Sequence, residues 1–380
     1  MALGDHQGSN KAGVGQTLIV WKKGRVSRVL ESRPELQELE VEVEGKSALA
    51  WNYPSLTGKA SPGDEVYLNA TAVELGLGSG GYHFVIANLT KIPSTQKKEG
   101  HIIKLRYTPY QLQVLSVEEE VSPYRRELES FQSLSGTPVI VGELHSMLAP
   151  AVAGCLAGSE EKVRIVYVMT DGAALPLQLS KSVRELKEKG MLSGTVTTGH
   201  AFGGDLEAVN IYSALIAAFA VFHADVIIVT MGPGIVGTGT RWGTTALEQG
   251  EIINAVNVLG GRPIAIPRMS FADPRPRHRG VSHHTLTALG EVALSPAWVP
   301  LPELPPDQLA LVKQQLKEGG VLKKHRVVVR NGEAALCYLE KKGIMVQSMG
   351  RKPSDDPAFF LSAGAAGLVA AEFLKEKGGD

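Results

Sequence analysis

The sequence predicts an α/β protein with a doubly wound, mostly parallel sheet, preceded by a small all-β barrel-like domain. Three observations support this fold class. Residues 17–92 read as short segments with strand periodicity and contain no long helical pattern. From residue 101 onward, strand-like and helix-like segments alternate. Some of those strands are continuous apolar runs, such as Val-Ile-Ile-Val at 226–229, which is typical of parallel strands buried on both faces.

The domain organisation follows from changes in composition along the 380 residues. The Gly-rich, polar residues 1–16 are expected to form a flexible tail. Residues 17–92 are assigned to the β-barrel or sandwich domain, whose predicted strands cover 17–21, 25–30, 39–44, 65–70 and 82–88. The polar segment 93–100 is predicted to be a linker, and 101–380 is predicted to form the α/β domain that carries the functional site.

Within the α/β domain, periodicity predicts the elements in order. The predicted strands are 138–142, 163–169, 194–198, 226–231, 263–268, 326–330 and 344–347. The predicted helices are 179–189, 207–222, 245–259, 306–319, 332–342 and 358–377. In open α/β sheets, ligands bind beyond the carboxyl ends of the strands. The residues that follow each strand are therefore the candidates for function.

Composition disfavours several classes of protein. Lys+Arg and Asp+Glu both number 39, whereas proteins that bind nucleic acid usually carry a basic excess. The two cysteines form no Cys-x-x-Cys pair, so we expect reduced, buried thiols. The first residues resemble no signal peptide. His223 and Asp225 interrupt the longest apolar stretch, 211–231, which favours a helix running into a strand over a membrane span. A cytoplasmic protein is expected.

Ionisable residues follow the first three strands. Glu143 and His145 follow the first, Asp171 the second and His200 the third. Five of the ten histidines lie in loops of this kind: His145, His200, His278, His283 and His284. If the sheet is parallel, these loops share one rim, which predicts a ligand site. His200, with Asp171 or Glu143, is the candidate for acid–base work, and His145 lies beside them in the predicted order. The alternative is that each histidine is a hydrogen-bonded structural residue.

A divalent metal is a second interpretation of the same residues. Imidazole and carboxylate groups are common ligands of such ions. The candidate ligands are His200, Asp205, His278, His283 and His284. No His-Glu-x-x-His motif is present. The alternative for Asp205 is that it caps the following helix, with Glu207 in the first turn.

A glycine-rich segment at 232–241 follows one strand and precedes a helix. Free backbone N–H groups in such loops bind anions, so its residues are candidates for contact with an anionic ligand. They are Gly232, Gly234, Gly237, Thr238, Gly239, Thr240 and Arg241. Tight structural packing is the alternative. The glycines also fit G-x-G-x-x-G, but the next strand ends in Arg268 where an NAD site would have an acidic residue, so NAD is disfavoured.

A basic arm follows the fifth strand. Arg275, Arg277 and Arg279 lie within five residues of one another, and prolines 274 and 276 stiffen the segment. Guanidinium groups grip phosphate or carboxylate, which makes this arm a second candidate for binding the anion. The alternatives are a solvated loop paired with acidic neighbours and, less favoured, a contact with nucleic acid.

Three longer runs resemble a known family. They are Gly-His-Ala-Phe-Gly-Gly-Asp-Leu-Glu-Ala-Val-Asn at 199–210, the segment 271–285, and Met-Gly-Arg at 349–351 followed by Asp-Pro-Ala-Phe-Phe at 356–360. Together they resemble an uncharacterised bacterial family, domain of unknown function thirty-eight sixty-six, over nearly the whole chain. The resemblance implies a bacterial cytoplasmic protein. It brings no activity, cofactor or catalytic residue.

The leading hypothesis from the residues is an enzyme, a hydrolase or group transferase, that acts on a small anionic molecule. A non-catalytic sensor that binds a similar ligand and signals through the barrel is the first rival. An RNA-associated protein is the second, and the acidic strand from Glu38 to Glu44 argues against it. The Ala/Gly pattern at 363–371 predicts a tightly packed helix and is consistent with a subunit interface, hence with a homo-oligomer.

Overall fold

The computed structural model describes residues 17–94 and 99–377. The chain divides into two compact units, Met1–Lys97 and Lys98–Asp380. The predicted tail, 1–16, lies outside the described residues, and so does the central part of the predicted linker, 95–98.

The first unit is a closed barrel of five strands in the order β1-β2-β3-β5-β4. The strands are β1 (Trp21–Ser32), β2 (Gln37–Val43), β3 (Lys46–Asn52), β4 (Glu65–Asn69) and β5 (Tyr82–Asn88), with the short helices α1 (Pro54–Thr57) and α2 (Thr71–Glu74). Only β3 and β5 pair in parallel. This is the arrangement of an OB-type barrel. Apolar side chains at alternate positions, such as Leu39 and Val41, fill its core.

The barrel's strands differ from the predicted ones in two places. The segment predicted at 25–30 lies inside a longer strand, β1, which runs from Trp21 to Ser32. Of the segment predicted at 17–21, only Trp21 belongs to a strand. Strand β3 was not predicted; it continues from β2 through a tight turn at Glu44 and Gly45. Both turn residues have positive φ, 51° and 74°. A two-residue turn of this kind connects the strands of many hairpins, but glutamate is uncommon in it.

The second unit is built on a sheet of eight strands that are all parallel. Its strands are β8 (Pro138–Val141), β9 (Ile165–Thr170), β10 (Gly194–Thr198), β11 (Leu206–Ala208), β12 (Val226–Met231), β13 (Arg262–Ala265), β16 (Trp298–Pro302) and β17 (Arg326–Arg330). Two small hairpins complete the strands: β6 (Ile102–Lys104) with β7 (Leu112–Val114), and β14 (Met269–Ser270) with β15 (Gly280–Val281).

Helices cover both faces of this sheet. They are α3 (Arg125–Glu129), α4 (Leu148–Gly158), α5 (Lys181–Glu188), α6 (Ile211–Ala220), α7 (Glu248–Val258), α8 (His283–Thr287), α9 (Pro306–Glu318), α10 (Val321–Lys324), α11 (Glu333–Lys341) and α12 (Pro357–Lys377). Alternate side chains of β12 enter two separate cores, Ile228 with α4 and α12 and Ile227 with α6 and α7. The predicted doubly wound α/β fold with a small barrel is confirmed.

The strand order determines where a ligand can bind. The order is β11-β10-β9-β12-β8-β13-β16-β17. The chain leaves β8 toward β9, on one side, and leaves β13 toward β16, on the other. The connections leaving β9 and β12 diverge in the same way. A crevice forms at the carboxyl ends of neighbouring strands whose connections diverge. The sheet therefore has two such places, one between β8 and β13 and one between β9 and β12.

Helix α12 is long and apolar enough to cross a membrane by length and composition, but 72% of its apolar window is buried inside the protein. It packs most extensively on α4, where a Cβ built on Gly154 would lie 2.2 Å from the carbonyl oxygen of Gly364. The Ala/Gly pattern at 363–371 thus serves the contact between α12 and α4 of the same chain. A core helix explains the composition.

Several predicted elements need correction. Residues 344–347 form no strand, and β11 and β16 were missed. The predicted helix 207–222 begins only at Ile211, where Asn210 is the N-cap and accepts hydrogen bonds from Tyr212 N and Ser213 N at 2.9 and 3.1 Å. The interpretation of Asp205 as a helix cap is therefore wrong. Cys155 is buried as expected, but Cys337 is exposed.

Candidate functional site

The crevice between β8 and β13 holds a buried carboxyl group and a buried guanidinium. Glu143 follows β8 and is fully buried, while Arg268 follows β13 and is 4% exposed. Thr285, on α8, connects the two loops: its hydroxyl donates to Glu143 Oε1, and its Oγ1 accepts from Arg268 N at 3.1 Å. Gln249 Nε2 adds hydrogen bonds to Val141 O and Ile266 O, both 2.9 Å, and so ties the same two strand ends together.

The second oxygen of Glu143, Oε2, is buried and has no hydrogen-bond partner among the described residues. Burial raises the pKa of Glu143 to about 7, although the charge of Arg268 and the hydrogen bond from Thr285 act in the opposite direction. A carboxyl group with such a pKa can give and take protons near neutral pH. A purely structural carboxylate would normally have both oxygens satisfied.

Within the described part of the chain, the positive charge of Arg268 has no acidic group in close contact. Its Nη2 lies 3.8 Å from Asp273 Oδ2 and 3.6 Å from the sulfur of Met349. Asp273 makes a closer, bidentate pair with Arg275, at 2.8 and 2.9 Å. Burial lowers the pKa of Arg268, which marks a charge held largely out of water. Such a group attracts an anionic ligand more strongly than an exposed arginine does.

Three histidines cluster beside this crevice. His278 is the last residue of a 3₁₀ turn. His283 and His284 are the first two residues of α8 and directly precede Thr285. Their ring centroids are 4.1 Å apart for His283 and His284 and 5.1 Å apart for the two pairs with His278. One ring nitrogen from each lies within 4.8 Å of the others. Three ligands of this kind can hold a metal ion.

The three imidazoles are held in the neutral form. Burial, followed by the charges of Arg268 and Arg275, lowers the pKa of His278 to about 3. Burial and then His283 lower the pKa of His284 to about 4, with a small opposing effect from the backbone of Thr238. Burial and Arg277 also lower the pKa of His283. Neutral imidazole is the form that binds metals.

The structure gives His145 and His200 other partners. His145 Nδ1 lies 3.1 Å from the hydroxyl of Tyr167, and its Nε2 lies 2.6 Å from Ser180 Oγ. His200 Nδ1 accepts from Leu105 N at 3.0 Å, and its Nε2 lies 3.3 Å from Arg106 Nη2. Both nitrogens of each ring are thus engaged. Neither histidine joins the cluster at 278–284.

The predicted carboxylates near His200 are also engaged. Asp171 Oδ2 accepts from His200 N at 2.8 Å, and Asp205 binds Thr195 and, at 2.5 Å, Lys187. Glu207 pairs with the buried Lys104 at 2.6 Å. These residues fasten the β10–β11 end of the sheet. Among the described residues, Asp205 does not join the cluster of His278, His283 and His284.

The glycine-rich segment folds back on itself. Thr238 N donates to Gly243 O at 2.8 Å, Thr240 N donates to Thr238 Oγ1 at 3.2 Å, and the charge of Arg241 pairs with Glu291. Several donors expected to bind an anion are therefore satisfied internally. Gly232 is packed against the carbonyl of Ala174, 2.2 Å from where its Cβ would lie, whereas Gly234 and Gly239 have open space around them. Within this segment, Gly237 is the residue that lies against the histidine cluster, since it contacts the ring of His284.

The basic arm divides into two kinds of arginine. Arg275 is committed to Asp273. Arg277 and Arg279 are exposed and make no ion pair within the described part of the chain. After burial, the charge of Arg277 has the largest effect in lowering the pKa of His283, ahead of Arg268 and Arg275, so Arg277 acts on the cluster. Arg277 is the arginine of the predicted anion-binding set that remains available near the histidines.

Unpartnered buried polar atoms support the location of the site. In the described part of the α/β unit, they belong to Glu143, Gln178, Thr198, Gln249, His283 and His284. All six residues lie at or beyond the carboxyl ends of the strands. The sequence analysis missed Arg268, Thr285 and Gln249 as members of the site. In the sequence, Arg268 was used only as evidence that disfavours an NAD site. Its position at the end of a predicted strand was the signal that could have identified it as a site residue.

The fold and the site define a protein with an OB-type barrel and a doubly wound α/β unit. At the carboxyl ends of β8 and β13, its α/β unit brings together a carboxyl group and a guanidinium, with three imidazoles beside them. The chain belongs to the family described as protein of unknown function, DUF3866, whose sequence model matches residues 49–367. This agrees with the resemblance carried by the three sequence runs. No curated protein matches the chain.

Proposed function

We propose that this protein is an enzyme, a hydrolase or group transferase, that acts on a small anionic molecule in the crevice between β8 and β13. The observation that carries the proposal is the burial of Glu143 and Arg268 at neighbouring strand ends, where Thr285 connects them. These two ionisable side chains are buried at the divergence point of the sheet, and one carboxyl oxygen lacks a partner. We place the protein in the cytoplasm of a bacterium.

Each group has a distinct role in this proposal. Glu143 transfers the proton, because its Oε2 has no hydrogen-bond partner among the described residues and its pKa lies near 7. Arg268 neutralises the negative charge of the substrate, with Arg277 contributing at the edge. Thr285 orients the carboxyl group through its hydroxyl. His200, Asp171 and His145 support the surrounding loops and take no part in the proton transfer.

The rival is a sensor that binds the same anion without turning it over. A sensor needs the cation, but it does not need a buried carboxyl group with a free oxygen close to the anion, because that group would repel the ligand when ionised. Association with RNA is disfavoured, since Glu38, Glu40 and Glu42 all lie on the outer side of β2.

The proposal is tested with chromogenic p-nitrophenyl substrates: a phosphate monoester, a phosphate diester, a sulfate ester and a carboxylate-bearing ester. The Glu143→Gln variant should lower kcat on the accepted substrate by about 10²–10⁴-fold and leave KM within about threefold. Glu248→Gln is the matched control. Glu248 is another largely buried carboxyl group at the rim, but it lies by β9, where Thr170 Oγ1 donates to it at 2.8 Å.

The outcomes separate the alternatives. Retained activity in Glu248→Gln with loss in Glu143→Gln supports the proposal. Equal loss in both variants contradicts the role of Glu143. Saturable binding of inorganic phosphate or sulfate, without turnover of any substrate in the series, favours the sensor.

A further inference from the structure

We infer that His278, His283 and His284 bind one divalent metal ion of the zinc type through their Nε2 atoms, with a coordination position left for water or for an oxygen of the anion. This inference goes beyond the proposed reaction, because a metal can bind there whether or not Glu143 transfers a proton.

The ring of His284 has a defined orientation. Its Nδ1 lies 3.4 Å from Thr244 Oγ1. That hydroxyl donates its own proton to Val236 O at 3.0 Å. With the hydroxyl proton on Val236 O, the oxygen of Thr244 accepts from the imidazole, and this arrangement places the proton of His284 on Nδ1. The lone pair is then on Nε2, the nitrogen that has no hydrogen-bond partner.

His278 has a comparable partner. Its Nδ1 lies 2.9 Å from Ser282 Oγ, a hydroxyl oxygen that also accepts from His284 N at 3.3 Å. A serine oxygen that accepts the Nδ1 proton leaves Nε2 free to bind a metal. Hydrogen bonds of this kind fix the ring and the tautomer of histidines that bind metals.

Two buried nitrogens lack partners in the same place. His283 Nε2 and His284 Nε2 are both shielded from solvent without a hydrogen bond. Buried polar atoms are nearly always satisfied, so such a pair indicates a group that binds between them. Gly237 leaves the space open: a Cβ at this position would lie 2.6 Å from Cε1 and 3.3 Å from Nε2 of His284.

The composition of the cluster selects the metal. Three imidazoles and no carboxylate suit zinc, cobalt or nickel, whereas magnesium and calcium require oxygen ligands. Zinc binds imidazole nitrogens at about 2.0–2.1 Å, which places tetrahedral ligands about 3.4 Å from one another. Since the ligand nitrogens lie within 4.8 Å of one another, a pair of rings at that limit closes by about 1.4 Å on binding. Three protein ligands leave the fourth position open, as in catalytic zinc sites.

The experiment uses the full-length, untagged protein, stripped with a chelator and reloaded with Zn²⁺. Metal content is measured by plasma mass spectrometry after desalting, and affinity by competition with a chromophoric zinc indicator. Loading with Co²⁺ gives the absorption of a four-coordinate ion with imidazole ligands. We expect about one zinc per chain, and a loss of affinity of at least about 100-fold in His283→Gln.

Two further variants make the test specific. His200→Ala removes a rim histidine whose two nitrogens are already engaged, and it should retain the wild-type stoichiometry and affinity. Gly237→Val keeps all three ligands but fills the space at His284 Nε2, and it should weaken zinc binding by at least about tenfold. Circular dichroism of the metal-free proteins verifies that each variant is folded.

The inference is overturned if folded His283→Gln and wild type bind zinc equally, if His200→Ala loses the metal to the same extent, or if the reloaded wild type retains none. These readouts do not involve turnover. A protein that binds zinc but acts on no substrate would contradict the proposed reaction and support the metal site. A protein that turns over a substrate but binds no zinc would contradict the metal site and support the proposed reaction.

Discussion

Replacing Glu143 by glutamine should change how the stability of the α/β unit depends on pH. In the folded protein the pKa of Glu143 is raised from its ordinary value of 4.5 to about 7. Between these two values the folded state therefore keeps a proton that the unfolded state has lost. Stability falls with pH wherever the folded state binds more protons, so Glu143 lowers the stability progressively from about pH 4.5 to about pH 7.

The size of the effect follows from the same shift. One pKa unit corresponds to about 1.4 kcal/mol, so a rise of about 2.5 units costs the folded protein about 3 kcal/mol at pH 8 and nothing below pH 4.5. Glutamine has the same shape and can still accept from Thr285, but it carries no titrating proton. The free energy of unfolding of Glu143→Gln, relative to that of the wild type, should therefore rise by about 3 kcal/mol between pH 4.5 and pH 8.

Urea unfolding at intervals between pH 4.5 and pH 8, followed by helical circular dichroism, measures this difference. The signal reports the α/β unit, because the barrel has only two helices of four residues among its described residues. Subtracting the variant from the wild type at each pH removes the contribution of every other titrating group, including Glu248. A difference that is constant within about 0.5 kcal/mol, or that favours the wild type at high pH, would refute the reasoning. It would mean that Glu143 is ionised and stabilised by Arg268.

Three other predictions concern single contacts. Gly154→Ala should destabilise the α/β unit by about 2 kcal/mol or more, because its Cβ would meet the carbonyl of Gly364 in α12. Gly239→Ala, which adds a Cβ in open space, is the control. Equal urea midpoints for the two variants would contradict this packing. Asn210→Ala should cost about 1 kcal/mol through loss of the N-cap of α6, measured in the same way; an unchanged midpoint would show that other groups satisfy the first turn. Thr244→Val should lower zinc affinity by about tenfold by freeing the Nδ1 of His284, whereas unchanged affinity would remove the orienting role of this hydroxyl.

The fold class was predictable because burial leaves a clear pattern in the sequence. All six residues of β12 are buried, and the first four, 226–229, form the apolar run from which the parallel sheet was inferred. The prediction failed where local signals disagree with the tertiary structure. Strand β16 contains Pro300 and Pro302, which argue against a strand, yet its parallel pairing with β17 covers both residues.

The site was predictable in location but not in membership. A parallel sheet brings all the strand ends to one side, so the rim could be inferred from the periodicity alone. Which histidines meet depends on hydrogen bonds between loops that are distant in sequence. His200 is taken by Leu105, 95 residues away, and nothing in the local sequence indicates that contact. Thr285 was missed because a threonine inside a helical segment carries no signal until Glu143 is placed beside it.

The central claim is that the crevice between β8 and β13, with its three histidines, is the functional site. Anomalous diffraction at the zinc edge, from crystals grown with Zn²⁺ and vanadate, tests it most directly. The claim predicts one zinc peak about 2.0–2.1 Å from the Nε2 atoms of His278, His283 and His284, with vanadate between the metal and Arg268. A zinc peak at His200 or His145, or vanadate bound away from this crevice, would contradict it.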